Sequence, residues 1–169
     1  MPHFEQTLSS ETLFEGRVIR VTLDKVRLEN GRTSTREVVH HHGGAGIAAL
    51  DENGNIYLVR QYRYAPDQEL IEIPAGKLEP GEDPLEAARR ELEEAGLCAA
   101  QWHSLGSIIP TCGYCSEVIY LYAATGLSSV GQHLDEDEFL SLFTLPLETA
   151  RSMVLSGEIT DGKTVAAVL

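Results

Sequence analysis

The segment Gly76 to Leu97, GKLEPGEDPLEAARRELEEAGL, leaves the chain little freedom, because it reads as a turn, a helix with both ends marked, and a stop. Glu79-Pro80-Gly81 is the turn, with φ fixed at Pro80 and a positive φ open to Gly81. Asp83 suits the N-cap and Pro84 the first helical position. Glu86 stands three residues after Asp83 as in a capping box, and Gly96 ends the helix. At about 100° per residue, Leu85, Ala88, Leu92 and Ala95 form one apolar stripe, while Glu91 and Glu94 stand about 60° apart on a neighbouring face. Carboxylates gathered this densely repel one another unless water solvates them or a cation sits among them, and Glu91 and Glu94 are spaced to share one ligand. The solvated alternative pairs Glu86 with Arg90 at i,i+4. Neither capping nor pairing accounts for the lead-in Pro74-Ala75-Gly76, directly after an apparent strand, Leu70 to Ile73.

Around this helix the chain reads mostly as strands. From Arg17 to Leu28 apolar and polar residues alternate with a period of two, as in a strand with one buried face. Asn30-Gly31 then makes a hairpin turn, with Thr33 to Val39 returning. A second hairpin is expected from Ile47 to Leu50 and Ile56 to Val59, which flank the turn residues Asp51 to Asn55. Glu117 to Ala124 is rich in β-branched and aromatic residues and reads as a buried strand, and Phe139 to Leu145 adds another. After Pro146, Leu147, Ala150, Val154 and Leu155 fall at helical spacing with Gly157 as a stop, and a last helix starts near Asp161. With no repeat, linker or low-complexity tract, these elements make an α+β chain with a mixed sheet and few helices.

Composition excludes several classes of function. At 169 residues, 43% hydrophobic and 23% charged, the chain is long enough to bury a core. Its apolar runs fall far short of the roughly 20 residues a membrane span needs. The start, Met-Pro-His-Phe-Glu, lacks the basic and apolar stretches of a secretory signal, so a cytoplasmic protein is expected. A formal net charge of −13 argues against nucleic acid and acidic lipid as partners, both of which need a basic surface. A small anionic substrate would need local arginines or a bound metal to overcome that field. Cys98, Cys112 and Cys115 do not make a disulfide framework. Cys112 and Cys115 with His40, His41 or His42 would be half a zinc site, but a structural site needs four ligands, so reduced, buried thiols are the simpler reading.

Gly76, Glu82, Arg90, Glu91 and Leu92 fall on the spacing G-x5-E-x7-R-E-U, with U aliphatic, and in this the chain resembles the Nudix hydrolase family. Arg60-Gln61-Tyr62-Arg63, Glu72-Ile73-Pro74-Ala75-Gly76, the acidic run Asp135 to Glu138 and Gly157 to Thr164 are similar to its ADP-ribose pyrophosphatase branch. One departure stands out. The family continues with a spacer, two glutamates, a further spacer and glycine, whereas this chain reads Glu93-Glu94-Ala95-Gly96, one residue short. Counting forward puts the pair at Glu94 and Ala95; counting back puts it at Glu93 and Glu94. A one-residue deletion turns everything beyond it by about 100°, and a regular helix favours the forward count, with Glu91 and Glu94 together and Glu93 turned away.

The resemblance implies an α/β/α sandwich with a mixed β-sheet in residues 43–169 and an N-terminal antiparallel β-region in residues 1–42. Residues Phe4 to Phe14 of that region would pair two copies into a homodimer. It implies hydrolysis of the pyrophosphate of ADP-ribose or a related nucleoside diphosphate sugar, giving a nucleotide and a sugar phosphate. Mg²⁺ or Mn²⁺ would be held by Glu91 and Glu94 with the Ala75 carbonyl, or by Glu93 in the backward count, and Glu82 would brace Arg90. Glu136 or Glu138 would be the general base or a further ligand. Arg60 and Arg63 offer guanidinium forks to phosphate. Glu72 would bind a sugar or base edge or serve as a satisfied structural acid. Tyr62, Tyr64 and Trp102 are candidates for adenine stacking or for packing. Pro110 to Gly113 matches the branch's post-box loop loosely, since Cys112 precedes Gly113. The alternative to an enzyme is a nucleotide-sensing module without turnover, suggested by the shortened box.

Overall fold

In the computed structural model, which describes residues 3–131 and 140–169, β1 (Gln6–Glu15), β2 (Arg20–Arg27) and β3 (Thr33–His40) form an antiparallel sheet in that order. The Asn30-Gly31 turn forms as its residues require, with Gly31 at φ 80°. The alternation in β2 gives Val26 at 5% exposure and Thr22 fully buried, with the Thr22 hydroxyl 3.0 Å from His40 Nε2. Both faces of β1 are exposed along its whole length. Thr111–Glu117 joins this compact unit, which comprises Met1–Gly43 and that segment. The link is made through Val39, whose N–H donates to the Tyr114 carbonyl at 2.8 Å.

The second unit, Gly44–Pro110 and Val118–Leu169, is built on two sheets. One has the order β7 (Ala75–Lys77), β4 (Gly44–Ala49), β9 (Ile119–Ser129), β8 (Leu97–Ile108), with β4 parallel to β9 and the other pairs antiparallel. It is therefore mixed, as the sequence led us to expect. The other has the order β10 (Leu140–Pro146), β5 (Asn55–Arg63), β6 (Gln68–Glu72), all antiparallel.

The expected hairpin between β4 and β5 does not form. The turn chemistry is present, with Asp51 Oδ1 accepting from the N–H groups of Asn53 and Asn55, but pairing stops after one bridge, Leu50 to Ile56. The reason lies in β4, whose six residues are all buried and whose two edges are taken by β7 and β9. With no edge left for it, β5 pairs with β6 and β10 instead.

Strand β4 also divides the core. Ala45, Ile47 and Ala49 pack with Leu78, Leu92 and other residues toward α1 (Pro84–Glu94). Ala48 faces the opposite side with Ile56, Ile73, Leu121, Ala150 and Val168, toward α2 (Leu147–Ser156) and α3 (Gly162–Val168). Helices thus cover both sides of the strands, the α/β/α arrangement. Leu92 is fully buried, so its truncation to alanine costs about 2–5 kcal/mol. Among the described residues no helix is long and apolar enough to cross a membrane.

Candidate active site

Helix α1 begins and ends where its sequence marks it. Asp83 accepts from the N–H groups of Leu85 and Glu86, Pro84 follows, and Gly96 takes φ 96°. The Ala95 N–H donates to the Glu91 carbonyl at 3.2 Å, so the last turn is an ordinary one. The shortened segment is therefore not rescued by a distorted helix end. Glu91 and Glu94 share a face, as the forward count requires, while Glu93 is exposed and its Oε1 accepts from Cys98 Sγ at 3.6 Å. Partial desolvation, and then the hydrogen bond to Glu93 and its charge, push the Cys98 thiol up. Ala95, 5% exposed, lines the cleft beside Glu94.

Arg90 organises these carboxylates. Its Nε donates to Glu82 Oε1 at 3.1 Å and its Nη2 to Glu82 Oε2 at 3.2 Å, while Nη1 donates to Glu91 at 2.7 Å and Glu94 at 3.1 Å. Nη2 also reaches the Lys77 carbonyl at 3.1 Å. The i,i+4 pair of Glu86 with Arg90 does not form: Arg90 is drawn to this inner face, and Glu86 pairs with Arg89 at 3.2 Å. Hydrogen bonds from Arg90, and next from the Glu79 N–H, hold the Glu82 carboxyl below its ordinary range. Hydrogen bonding to Glu82 does most to raise the Arg90 pKa further; burial opposes it, and the charge of Glu91 and the hydrogen bonds to Glu91 and Glu94 add to the rise.

Gly76 shows how closely Glu91 is held. A Cβ on Gly76 would stand 2.0 Å from Glu91 Oε1 and 2.1 Å from its Cδ, so the carboxylate lies over a residue that must lack a side chain. Ala75, Glu91 and Glu94 line one cleft together with Gln61 and Arg63. Among the described residues no three or more His, Cys, Asp or Glu side chains form a metal cage. Two carboxylates and the nearby backbone nonetheless supply hard oxygen donors without sulfur or imidazole, the set that suits a divalent cation keeping several of its waters. Glu136 and Glu138, the expected base, lie outside the described residues.

Strand β5 separates the two arginines. Arg63 shares the cleft face with Val59 and Gln61, and its Nε and Nη2 donate to Glu72 Oε1 and Oε2 at 2.7 and 2.8 Å. Arg60 is not brought to the cleft: one residue out of phase on a strand, it stacks over the Phe143 ring at 5.1 Å and pairs with Glu69 at 3.6 Å. Glu72 is 1% exposed, and both its oxygens are engaged by Arg63 and Lys163. Burial raises its pKa, but the Arg63 hydrogen bonds and Lys163 outweigh this and leave it below the ordinary value. Trp102 packs edge-on to Tyr122 with centroids 6.4 Å apart and donates to the Ala99 carbonyl. The Tyr62 hydroxyl donates to Asp67 at 2.6 Å, and Tyr64 is 90% exposed. The three cysteines are unpaired, but none is buried and Cys112 is exposed, which corrects the expectation of buried thiols.

Gln61 and Lys163 were not singled out by the sequence. Gln61 shows the cleft face only once the phase of β5 is known. Lys163 carries a signal, since a cation at the second position of a helix opposes the helix dipole and needs carboxylates to hold it.

The NUDIX domain matches residues 40–168, and the nucleoside diphosphate sugar hydrolase N-terminal domain matches residues 5–39. The methanol dehydrogenase activator of Bacillus methanolicus is 44% identical, over 97% of this chain and 90% of its own length. The ADP-ribose pyrophosphatase of Bacillus subtilis (strain 168) is 38% identical over the same shares, 97% and 90%. Among solved structures, one described as an ADP compounds hydrolase superposes with a TM-score of 0.83 at 22% identity, covering 97% of this chain and 90% of that one, which speaks for the fold. With both domains matched in order along nearly its whole length, this chain belongs to the Nudix hydrolase family.

Proposed function

We propose that the chain hydrolyses the pyrophosphate of ADP-ribose, or of a closely related nucleoside diphosphate sugar, with Mg²⁺ or Mn²⁺ as its cofactor. The observation that carries this reading is the convergence of Ala75, Glu91, Glu94 and Arg63 on one cleft. Glu91, Glu94 and the Ala75 carbonyl would hold the cation. When bound, it neutralises phosphate oxygens and lowers the pKa of a coordinated water.

The chain's own residues supply the rest. Arg90, clamped by Glu82, fixes the Glu91 carboxylate over Gly76, so the ligand geometry is set before substrate arrives. Arg63 offers its planar guanidinium to the diphosphate, in a chain whose overall charge would otherwise repel it. Water oxygen bonds to one phosphorus, the bridging P–O bond breaks, and the bridging oxygen leaves with the other phosphate. We assign Glu136 or Glu138 to accept the water's proton. The products are AMP and ribose 5-phosphate, or the matching nucleotide and sugar phosphate.

We further propose that two copies pair through the N-terminal strands and that the protein acts in the cytoplasm. The exposed Phe4, Leu13 and Phe14 support the first, and the three unpaired cysteines the second. Light scattering tests the dimer: twice the chain mass is expected, and a single chain's mass would refute it.

The activity is tested by incubation with ADP-ribose and MgCl₂, with AMP followed by chromatography. AMP release that stops on chelation is expected. No release from ADP-ribose, UDP-glucose or GDP-mannose would overturn the reading.

A further inference from the structure

Lys163 occupies an unfavourable place for a cation, the second position of α3, with a side chain only 11% exposed. Two carboxylates hold it there, Asp161 at 3.0 Å and Glu72. Asp161 is itself fixed as the N-cap of α3, accepting from the Thr164 N–H at 3.0 Å. Thr164 Oγ1 in turn accepts from the Ile73 N–H at 2.9 Å, next to Glu72 in the chain. Lys163 is thus delivered to Glu72 by a helix end anchored to the residue that directly follows Glu72 in the chain.

Glu72 is the shared member. It grips Arg63 through both oxygens while its Oε2 also accepts from Lys163. Of these three residues only Arg63 lines the cleft; Glu72 and Lys163 stand behind it. A carboxylate buried this deeply, left with one cation, tends to take up a proton or turn out of the guanidinium plane, and either breaks the two-point grip. A second cation on Oε2 secures both the charge and the plane of the carboxylate.

We propose that Lys163 is a positioning residue: acting through Glu72, it holds the Arg63 guanidinium beside Glu91 and Glu94 in the orientation that receives the anionic oxygens of a diphosphate. This inference rests on the hydrolase reading above. The ordering of a long side chain is completed on folding rather than on ligand binding, so the effect falls on substrate capture. It falls less on the bond-breaking step.

The test compares Lys163→Met, Lys163→Arg, Arg63→Lys and Val168→Ala. Val168 is a buried apolar residue of the same helix, outside the polar cluster, and its truncation reports simple loosening of α3. Turnover of ADP-ribose with Mg²⁺ is measured, together with calorimetric affinity for ADP-ribose in the presence of chelator. Lys163→Met is expected to raise KM and the metal-free Kd about tenfold with kcat within about twofold. Val168→Ala is expected to lower Tm but leave both constants unchanged, and Lys163→Arg to restore most of the loss. In the Arg63→Lys background, Lys163→Met should add nothing, since there is no longer a fork to orient.

The proposal is overturned if Lys163→Met behaves as Val168→Ala does, or if its effect multiplies fully with that of Arg63→Lys. Should Lys163→Met fail to fold, Lys163→Gln, which keeps a donor without the charge, is judged by the same criteria. A wild-type chain that binds ADP-ribose but turns over none of ADP-ribose, UDP-glucose and GDP-mannose refutes the hydrolase reading, and the Kd series then decides the positioning claim alone. A wild-type chain that neither binds nor turns over any of these three nucleotide sugars refutes both.

Discussion

Two arginine clusters flank the cleft, and they differ in charge balance. On α1, one guanidinium, Arg90, faces three carboxylates, Glu82, Glu91 and Glu94. At the ends of β5 and β6, two cations, Arg63 and Lys163, face two carboxylates, Glu72 and Asp161. The first cluster keeps an excess of negative charge with Glu91 and Glu94 turned to the cleft, which favours a divalent cation there. The second is balanced and buries its central carboxylate, so it serves to hold a side chain in place. In the proposed reading, one cluster attracts a charge and the other aims one.

Breaking the first cluster has the largest expected effect. Glu91→Gln should lower kcat by more than about 100-fold, since a proposed metal ligand is worth more than the groups around it. Assays across Mg²⁺ concentrations check this. Gly76→Ala should lower activity by about 10- to 100-fold and raise the Mg²⁺ requirement, because its Cβ would stand 2.0 Å from Glu91 Oε1 and drive that carboxylate aside. The displaced group is the end of a flexible side chain, so the far-UV circular dichroism spectrum should be unchanged.

The two faces of β5 sharpen the comparison further. Arg63→Ala should raise KM by about tenfold or more, whereas Arg60→Ala, on the opposite face, should leave it within about twofold. Equal effects on KM would remove the distinction drawn between them. The smallest effect concerns pH. The pKa of Glu72 lies below its ordinary value of 4.5 in the folded chain. Its contribution to stability is therefore complete above about pH 4.5 and is lost as pH falls through the lower folded value. Thermal unfolding of the wild type should weaken more steeply below that pH than unfolding of Glu72→Gln.

The carboxylate half of the first cluster could be read from the chain because it lies within one short segment, whereas local spacing paired Arg90 with Glu86 and only the family resemblance pointed to Glu82 as its brace. Caps, turn and helical phase place Glu91 and Glu94 together and turn Glu93 away without knowledge of the rest of the fold. The second could not, since Glu72 and Lys163 lie 91 residues apart in sequence. Whether Arg60 or Arg63 faces the cleft depended on the phase of β5, which pairing with β6 and β10 decides. The failed hairpin at Asp51 has a similar origin: local turn chemistry was right, but the edges of β4 were already filled by strands distant in sequence. The long strand β8 escaped the reading because little of it is buried, so its alternation is weak.

The central claim is that Glu91 and Glu94 hold a divalent cation in the cleft. Mn²⁺ titration followed by electron paramagnetic resonance tests it most directly, comparing the wild type with a Glu91→Gln, Glu94→Gln double variant. Saturable binding in the wild type, lost in the double variant while the fold is kept, is the predicted result. Equal Mn²⁺ binding by the two proteins would contradict the account.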